Sequence, residues 1–213
     1  MSAEPSLEAF RDAYTTGRPQ IVWRRIVDDL ETPVSAYLKI AAGEPYAFLF
    51  ESVEGGAWRG RYSVIALRPE LVWRCRGDRA ETARGADIAA GRFTPEPGGA
   101  LDSLRDLIAG SRLDLPNGLP PMSAGVFGTV GYDVIRLAEP LPAINPDPLD
   151  LPDAILIRPS IVAVFDGIAQ RNLPGKQRAR LLGGHLEFRN AHDEFQRGRD
   201  AETAVPDRAV DNG

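Results

Sequence analysis

The order of apolar and polar positions divides the chain into short elements joined by turn residues. Leu7, Phe10 and Tyr14 fall on one helical face behind Ser6, a capping residue type, with Glu8 in the first turn. Gly17 and Pro19 end that helix. Residues 20–27 are β-branched and aromatic and read as a strand. Thr32-Pro33 marks a helix start, with Thr at the cap and Pro at the first helical position. Val34, Tyr37, Leu38 and Ala41 then recur at helical spacing. That spacing predicts an apolar stripe facing a core, in a helix closed by Gly43.

The apolar run 47–50 ends abruptly at Glu51-Ser52, passes through a polar turn at 53–56, and resumes as a strand after Gly60. Further on, Leu71, Trp73 and Cys75 share one strand face, and Val72, Arg74 and Arg76 the other. Gly77-Asp78 is a turn, residues 79–93 fit one or two short strands, and 94–99 form a loop. Leu101, Leu104 and Ile108 mark a helix closed by Gly110. A Pro/Gly linker at 116–121 leads into a strand at 124–133. Its Gly125, Gly128 and Gly131 imply a bulge or a close backbone approach. Their spacing is not that of a phosphate loop, and no Gly-Lys-Ser/Thr follows. Residues 134–139 read as a short helix, and the prolines from 140 to 152 as an extended connection. A long apolar strand at 154–166 is interrupted at Pro159. Runs of strands joined by short turns predict an α+β fold, a mostly antiparallel sheet with packed helices.

Composition changes the picture after Asp166. Residues 167–213 hold one Ile and two Val among many Arg, Gly, Asp and Glu, with no sustained period. Such a segment buries little apolar surface, so the expected organisation is one domain over 1–166 and a disordered tail over 167–213. A net charge of -5 with 43% hydrophobic residues is ordinary for a soluble globular protein and lacks the basic face of a nucleic-acid binder. No apolar run approaches the roughly 20 residues of a membrane span, and no basic-then-apolar leader opens the chain. The expectation is a cytoplasmic protein. The single cysteine, Cys75, sits in an apolar alternation and reads as a small core hydrophobe. Both histidines, His185 and His192, fall in the tail, where catalytic positioning is poorest. No Cys/His cluster has zinc spacing. No catalytic residue set emerges.

The polar pair Glu51-Ser52 is what remains. A carboxylate and a hydroxyl closing an apolar strand need partners. On one reading Ser52 caps the turn at 53–56 and Glu51 pairs with a neighbouring arginine. On the other, the pair holds the ammonium and carboxylate of an amino acid. Arg61, Tyr62 and Ser63 open the next strand, with Tyr62 packing and Arg61 solvated on the simpler reading. Gly131-Tyr132-Asp133 with Arg136 ends a strand and caps a helix on the same reading.

Four motifs in series carry a resemblance. They are Thr32-Pro33-Val34-Ser35-Ala36-Tyr37-Leu38-Lys39, Phe48-Leu49-Phe50-Glu51-Ser52-Val53-Glu54-Gly55-Gly56, Gly60-Arg61-Tyr62-Ser63 and Gly131-Tyr132-Asp133. Over residues 5–166 the chain resembles the N-terminal region of anthranilate synthase component I. Aminodeoxychorismate synthase component I and isochorismate synthase are less similar here. The resemblance implies an enzyme, a lyase, that converts chorismate to anthranilate and pyruvate. It uses Mg²⁺ and ammonia passed from a glutamine amidotransferase subunit, component II. It also implies that L-tryptophan binds this region as feedback inhibitor, at a Leu-Leu-Glu-Ser motif. Here that motif reads Leu49-Phe50-Glu51-Ser52. On this resemblance Ser52 contacts the amino acid's backbone groups, and Glu51 orders the loop or meets the ammonium. Phe50, Arg61, Tyr62 and Ser63 support the site. A ring at position 50 adds bulk that the packing must accommodate. The family's chorismate- and Mg²⁺-binding segments have no counterpart in 167–213, so no catalytic residue and no metal ligand is assigned. A frameshift, a natural truncation or a separate regulatory fragment each fit that pattern. The alternative is a non-catalytic fragment that binds tryptophan or the amidotransferase, or a protein like aminodeoxychorismate synthase component I.

Overall fold

The computed structural model describes residues 3–26, 30–51, 61–142 and 147–166, together with the backbone of 179–185. In chain order the elements are α1 (Leu7–Thr15), β1 (Ile21–Arg25), α2 (Pro33–Ile40), β2 (Phe48–Phe50), β3 (Tyr62–Arg76), β4 (Arg79–Arg84), α3 (Ala86–Ala89), β5 (Thr94–Pro95), α4 (Ala100–Gly110), β6 (Phe127–Val130), β7 (Ala154–Asp166) and β8 (Ala179–His185). Single 3-10 segments lie at Pro121–Ser123 and Tyr132–Leu137. The strands form one antiparallel sheet in the order β1-β8-β7-β3-β4-β5, with β2 paired to β3 and β6 paired to β7. The α+β expectation holds.

The sheet is organised by its two longest apolar runs. β3 and β7 pair from Tyr62 opposite Asp166 to Cys75 opposite Ala154. Midway, Pro69 faces Pro159, and the register shifts before Leu71. Neither proline can donate to the ladder. Arg68, just before, takes a φ of 53°. The long pair is thereby split into two halves. One half carries β2 on β3 and β8 on β7; the other carries β4 on β3 and β6 on β7.

Each half buries both faces. In the first, Val64, Ala66, Val162 and Val164 pack with Ile21 and Trp23, under Leu113, Leu115, Leu119 and Met122. On its reverse, Ile65, Leu67, Ala163 and Phe165 meet Ala36, Tyr37 and Ala41 of the α2 segment. In the second half, Leu71, Trp73 and Cys75 share one face, as their spacing predicts, and pack on Ala100, Leu104 and Leu107 of α4. Trp73 Nε1 donates to Ser103 Oγ at 2.9 Å, which satisfies two buried groups at once. Beneath the proline pair, buried Arg158 is paired with Glu70.

Helices α2 and α4 are rotated from their expected stripes. Val34 and Leu38 are exposed, and α2 rests on the sheet through Ala36, Tyr37 and Ala41. Ile108 is likewise exposed, and Leu107 takes its place in the core. Small alanines let a helix approach the sheet closely, which outweighs the larger side chains' preference for burial. The start of α2 is as predicted. The Ser35 N–H donates to Thr32 Oγ1 at 3.1 Å, and the Thr32 N–H donates to Ser35 Oγ at 2.8 Å. Lys39 and then Ser35 hydrogen-bond to Glu31 and hold its carboxyl below the usual range.

Three shorter elements also differ from expectation. Residues 79–93 hold one strand, β4, as expected, and add the short helix α3. The strand at 124–133 contracts to β6, and the helix after it starts two residues early, as a 3-10 segment. The expected disordered tail contains a strand. The backbone of β8 lies between β7 and β1 and pairs with both. Its Leu181-Leu182-Gly183-Gly184 carries little strand signal, and pairing along both edges supplies the order. The remainder of 167–213 lies outside the described residues. No described helix is long and apolar enough to cross a membrane.

Candidate functional site

The end of β2 is built by alternation. Phe48 and Phe50 point to one side of the strand and Leu49 to the other, where it joins the cluster under α2. The Phe48 and Phe50 rings lie 4.4 Å apart, and Phe48 also meets Phe127 at 5.4 Å. Phe50 is 40% exposed, so its extra bulk projects from the edge of the cluster and does not overpack it. Glu51 follows, exposed. Ser52 and the turn at 53–56 lie outside the described residues.

The start of β3 stands beside this edge, because Phe50 pairs with Val64. Tyr62 packs against the cluster that contains Phe48. Ser63 is opposite Phe165 in the ladder. Arg61, read from the sequence as solvated, is ion-paired. Its Nε and Nη2 donate to Asp166 Oδ1 and Oδ2, each at 3.1 Å. Its guanidinium also lies 4.7 Å from the centre of the Tyr62 ring. The Asp166 hydrogen bond raises the Arg61 pKa above its ordinary value, against the opposing effect of burial. The structure thus gathers Phe50, Glu51, Arg61, Tyr62 and Ser63 at one end of the sheet and adds Asp166 to them.

Asp166 was not singled out from the sequence. The signal available was its place: an acid closing the apolar run Val162-Ala163-Val164-Phe165, where a charge needs a partner. Elsewhere the simpler readings hold. Gly131 N–H donates to Asp153 O at 2.7 Å, and Arg136 pairs with Asp133 at 2.7 Å, so the Gly131-Tyr132-Asp133 motif ends a strand and begins a helix. Cys75 is buried, and burial pushes its thiol pKa up, as for an inert core thiol. Among the described residues no three or more His, Cys, Asp or Glu gather to hold a metal ion, so these residues do not furnish a Mg²⁺ site.

No protein-family model matches the chain. Over 163 residues it is 51% identical to anthranilate synthase component 1 of Cereibacter sphaeroides, covering 76% of this chain and 33% of that protein. The protein of the same name from Synechocystis sp. is 35% identical over 190 residues, covering 88% of this chain and 36% of its own length. The chain therefore spans about a third of the length of these relatives. Among solved structures, the crystal structure of anthranilate synthase component I from Streptococcus pneumoniae TIGR4 is similar with a TM-score of 0.47 at 20% identity. That likeness covers 87% of this chain and 38% of the other. The two sequence matches bear out the resemblance carried by the four motifs.

Proposed function

We infer that this chain is the N-terminal part of an anthranilate synthase component I, and that it binds the feedback inhibitor and does not carry the chemistry. The observation behind this reading is the sequence match along three quarters of the chain to relatives whose length it only partly spans. In the whole enzyme, chorismate and ammonia become anthranilate and pyruvate. The ammonia comes from a glutamine amidotransferase subunit, and Mg²⁺ supports the reaction. No step of that chemistry is assigned to the described residues. The setting proposed is the cytoplasm.

The part assigned to this chain is recognition of L-tryptophan. Tryptophan presents an ammonium, a carboxylate and an indole, and residues 50–52 carry a side-chain type suited to each. The Glu51 carboxylate takes the ammonium, Ser52 the amino acid's backbone groups, and the exposed Phe50 ring borders the indole. Tyr62 and Ser63 form the adjoining strand wall.

The test is anthranilate fluorescence with chorismate, ammonium and Mg²⁺. The chain alone yields no anthranilate above the no-protein control. Steady anthranilate production overturns the division of labour proposed here.

A further inference from the structure

Asp166 is the one buried carboxylate among the described residues, with a relative exposure of 1%. Arg61, one of its partners, differs. The Arg61 side chain is 47% exposed, against 2% for Asp166. A half-exposed arginine needs no buried acid to be stable, and a buried ion pair often adds less stability than apolar side chains of the same volume. Orientation is what the arrangement does secure. A guanidinium has five N–H donors in a rigid fork. Two atoms, Nε and Nη2, are engaged by the two carboxylate oxygens, and the pair does not engage Nη1. Tyr62 fixes one face of the plane. A cation held along one edge and across one face keeps a defined edge for an anion.

We propose that Asp166 is a positioning residue: it aims the remaining N–H edge of Arg61 at the carboxylate of an α-amino acid bound beside Phe50 and Glu51. The proposal rests on the tryptophan-site reading above. It sets complementary charges at the two polar ends of one ligand, Glu51 for the ammonium and Arg61 for the carboxylate. Pre-orienting the arginine also lowers the ordering cost of binding.

The test is calorimetric titration of L-tryptophan, and of tryptamine, which lacks the carboxylate, into the full 213-residue chain. The same titrations are made on Asp166→Asn and Arg61→Gln, each with a thermal melt. Asp166→Asn and Arg61→Gln each weaken tryptophan binding about tenfold or more, and the double variant is no weaker than Arg61→Gln alone. Tryptamine binds parent and variants alike. If Asp166→Asn fails to fold, Arg61→Gln carries the test, because its side chain is half exposed. Unchanged tryptophan affinity in the variants overturns the proposal. So does an equal loss for tryptamine, which assigns the pair a structural role only. A parent chain that binds no tryptophan overturns the tryptophan-site reading, and the proposal with it.

Discussion

Gly128→Ala removes no contact and adds one methyl group, yet it strikes the sheet at a fixed point. A Cβ there meets the Ile155 carbonyl oxygen at 2.0 Å, with Ile155 C and Leu156 Cα at 2.9 Å. All three are backbone atoms of β7, so no rotamer change relieves the clash. Ordinary contact requires the strands to part by more than about 1 Å, and strand spacing is held near 4.8 Å by the ladder. β6 must therefore peel from β7 along the pairing from Phe127–Ile157 to Val130–Ala154. Losing about three ladder bonds at ~1 kcal/mol each, with part of the Phe127 burial, costs about 3–5 kcal/mol. That is a large share of the roughly 5–15 kcal/mol that stabilises a typical domain. Urea denaturation followed by circular dichroism reads it as a lower midpoint. Gly110→Ala, at the end of α4, is the control: its Cβ meets nothing within 4 Å, and it raises stability by up to about 1 kcal/mol. A Gly128→Ala midpoint within about 0.5 kcal/mol of the parent refutes the close approach as a constraint on the sheet.

Two further predictions concern the second half of the sheet. Trp73→Phe leaves the buried Ser103 hydroxyl without its indole donor and opens a small cavity, costing about 2–4 kcal/mol. Adding Ser103→Ala recovers about 1 kcal/mol, which a double-mutant cycle in urea measures. Cys75 has its folded pKa raised by burial, so the folded chain keeps a proton that the unfolded thiol releases. Its contribution is full below the ordinary thiol value of 9.0 and is lost as pH rises above it. Melting temperatures of parent and Cys75→Ala compared at pH 8 and pH 10 show the parent falling further. Parallel falls contradict the assignment.

Much of the fold was legible because it rests on patterns of short range. The Thr32-Pro33 start and the Leu71/Trp73/Cys75 face follow from local residues and appear in place, whereas β7 runs unbroken through Pro159 and the register shift falls opposite it, in β3. The close-approach glycines were legible in kind. Gly128 lies against β7 backbone and Gly131 against the backbone of Asp153 just before it, whereas Gly125 has open space and a φ of 124°. Which helix face turns inward was not legible. Val34 and Leu38 match the helical period, but alanine positions set the closest approach of α2 to the sheet. β8 was invisible because neighbouring edges specify it more than its own residues do.

The site divides in the same way. Glu51 announced itself as a charge after an apolar run, and Phe50 by departing from a motif. Arg61 looked solvated because its partner stands 105 residues away in sequence. Asp166 carried only the mild signal of an acid ending a strand. Long-range pairing between β3 and β7 brings the two together, and no spacing along the chain encodes that contact.

The most direct measurement is titration of the purified chain with L-tryptophan by calorimetry. The account predicts a saturable, one-to-one binding heat that Glu51→Ala weakens by at least about tenfold, because the ammonium loses its carboxylate. A parent chain that gives no binding heat at any concentration up to solubility contradicts the claim that this sheet end is a tryptophan site.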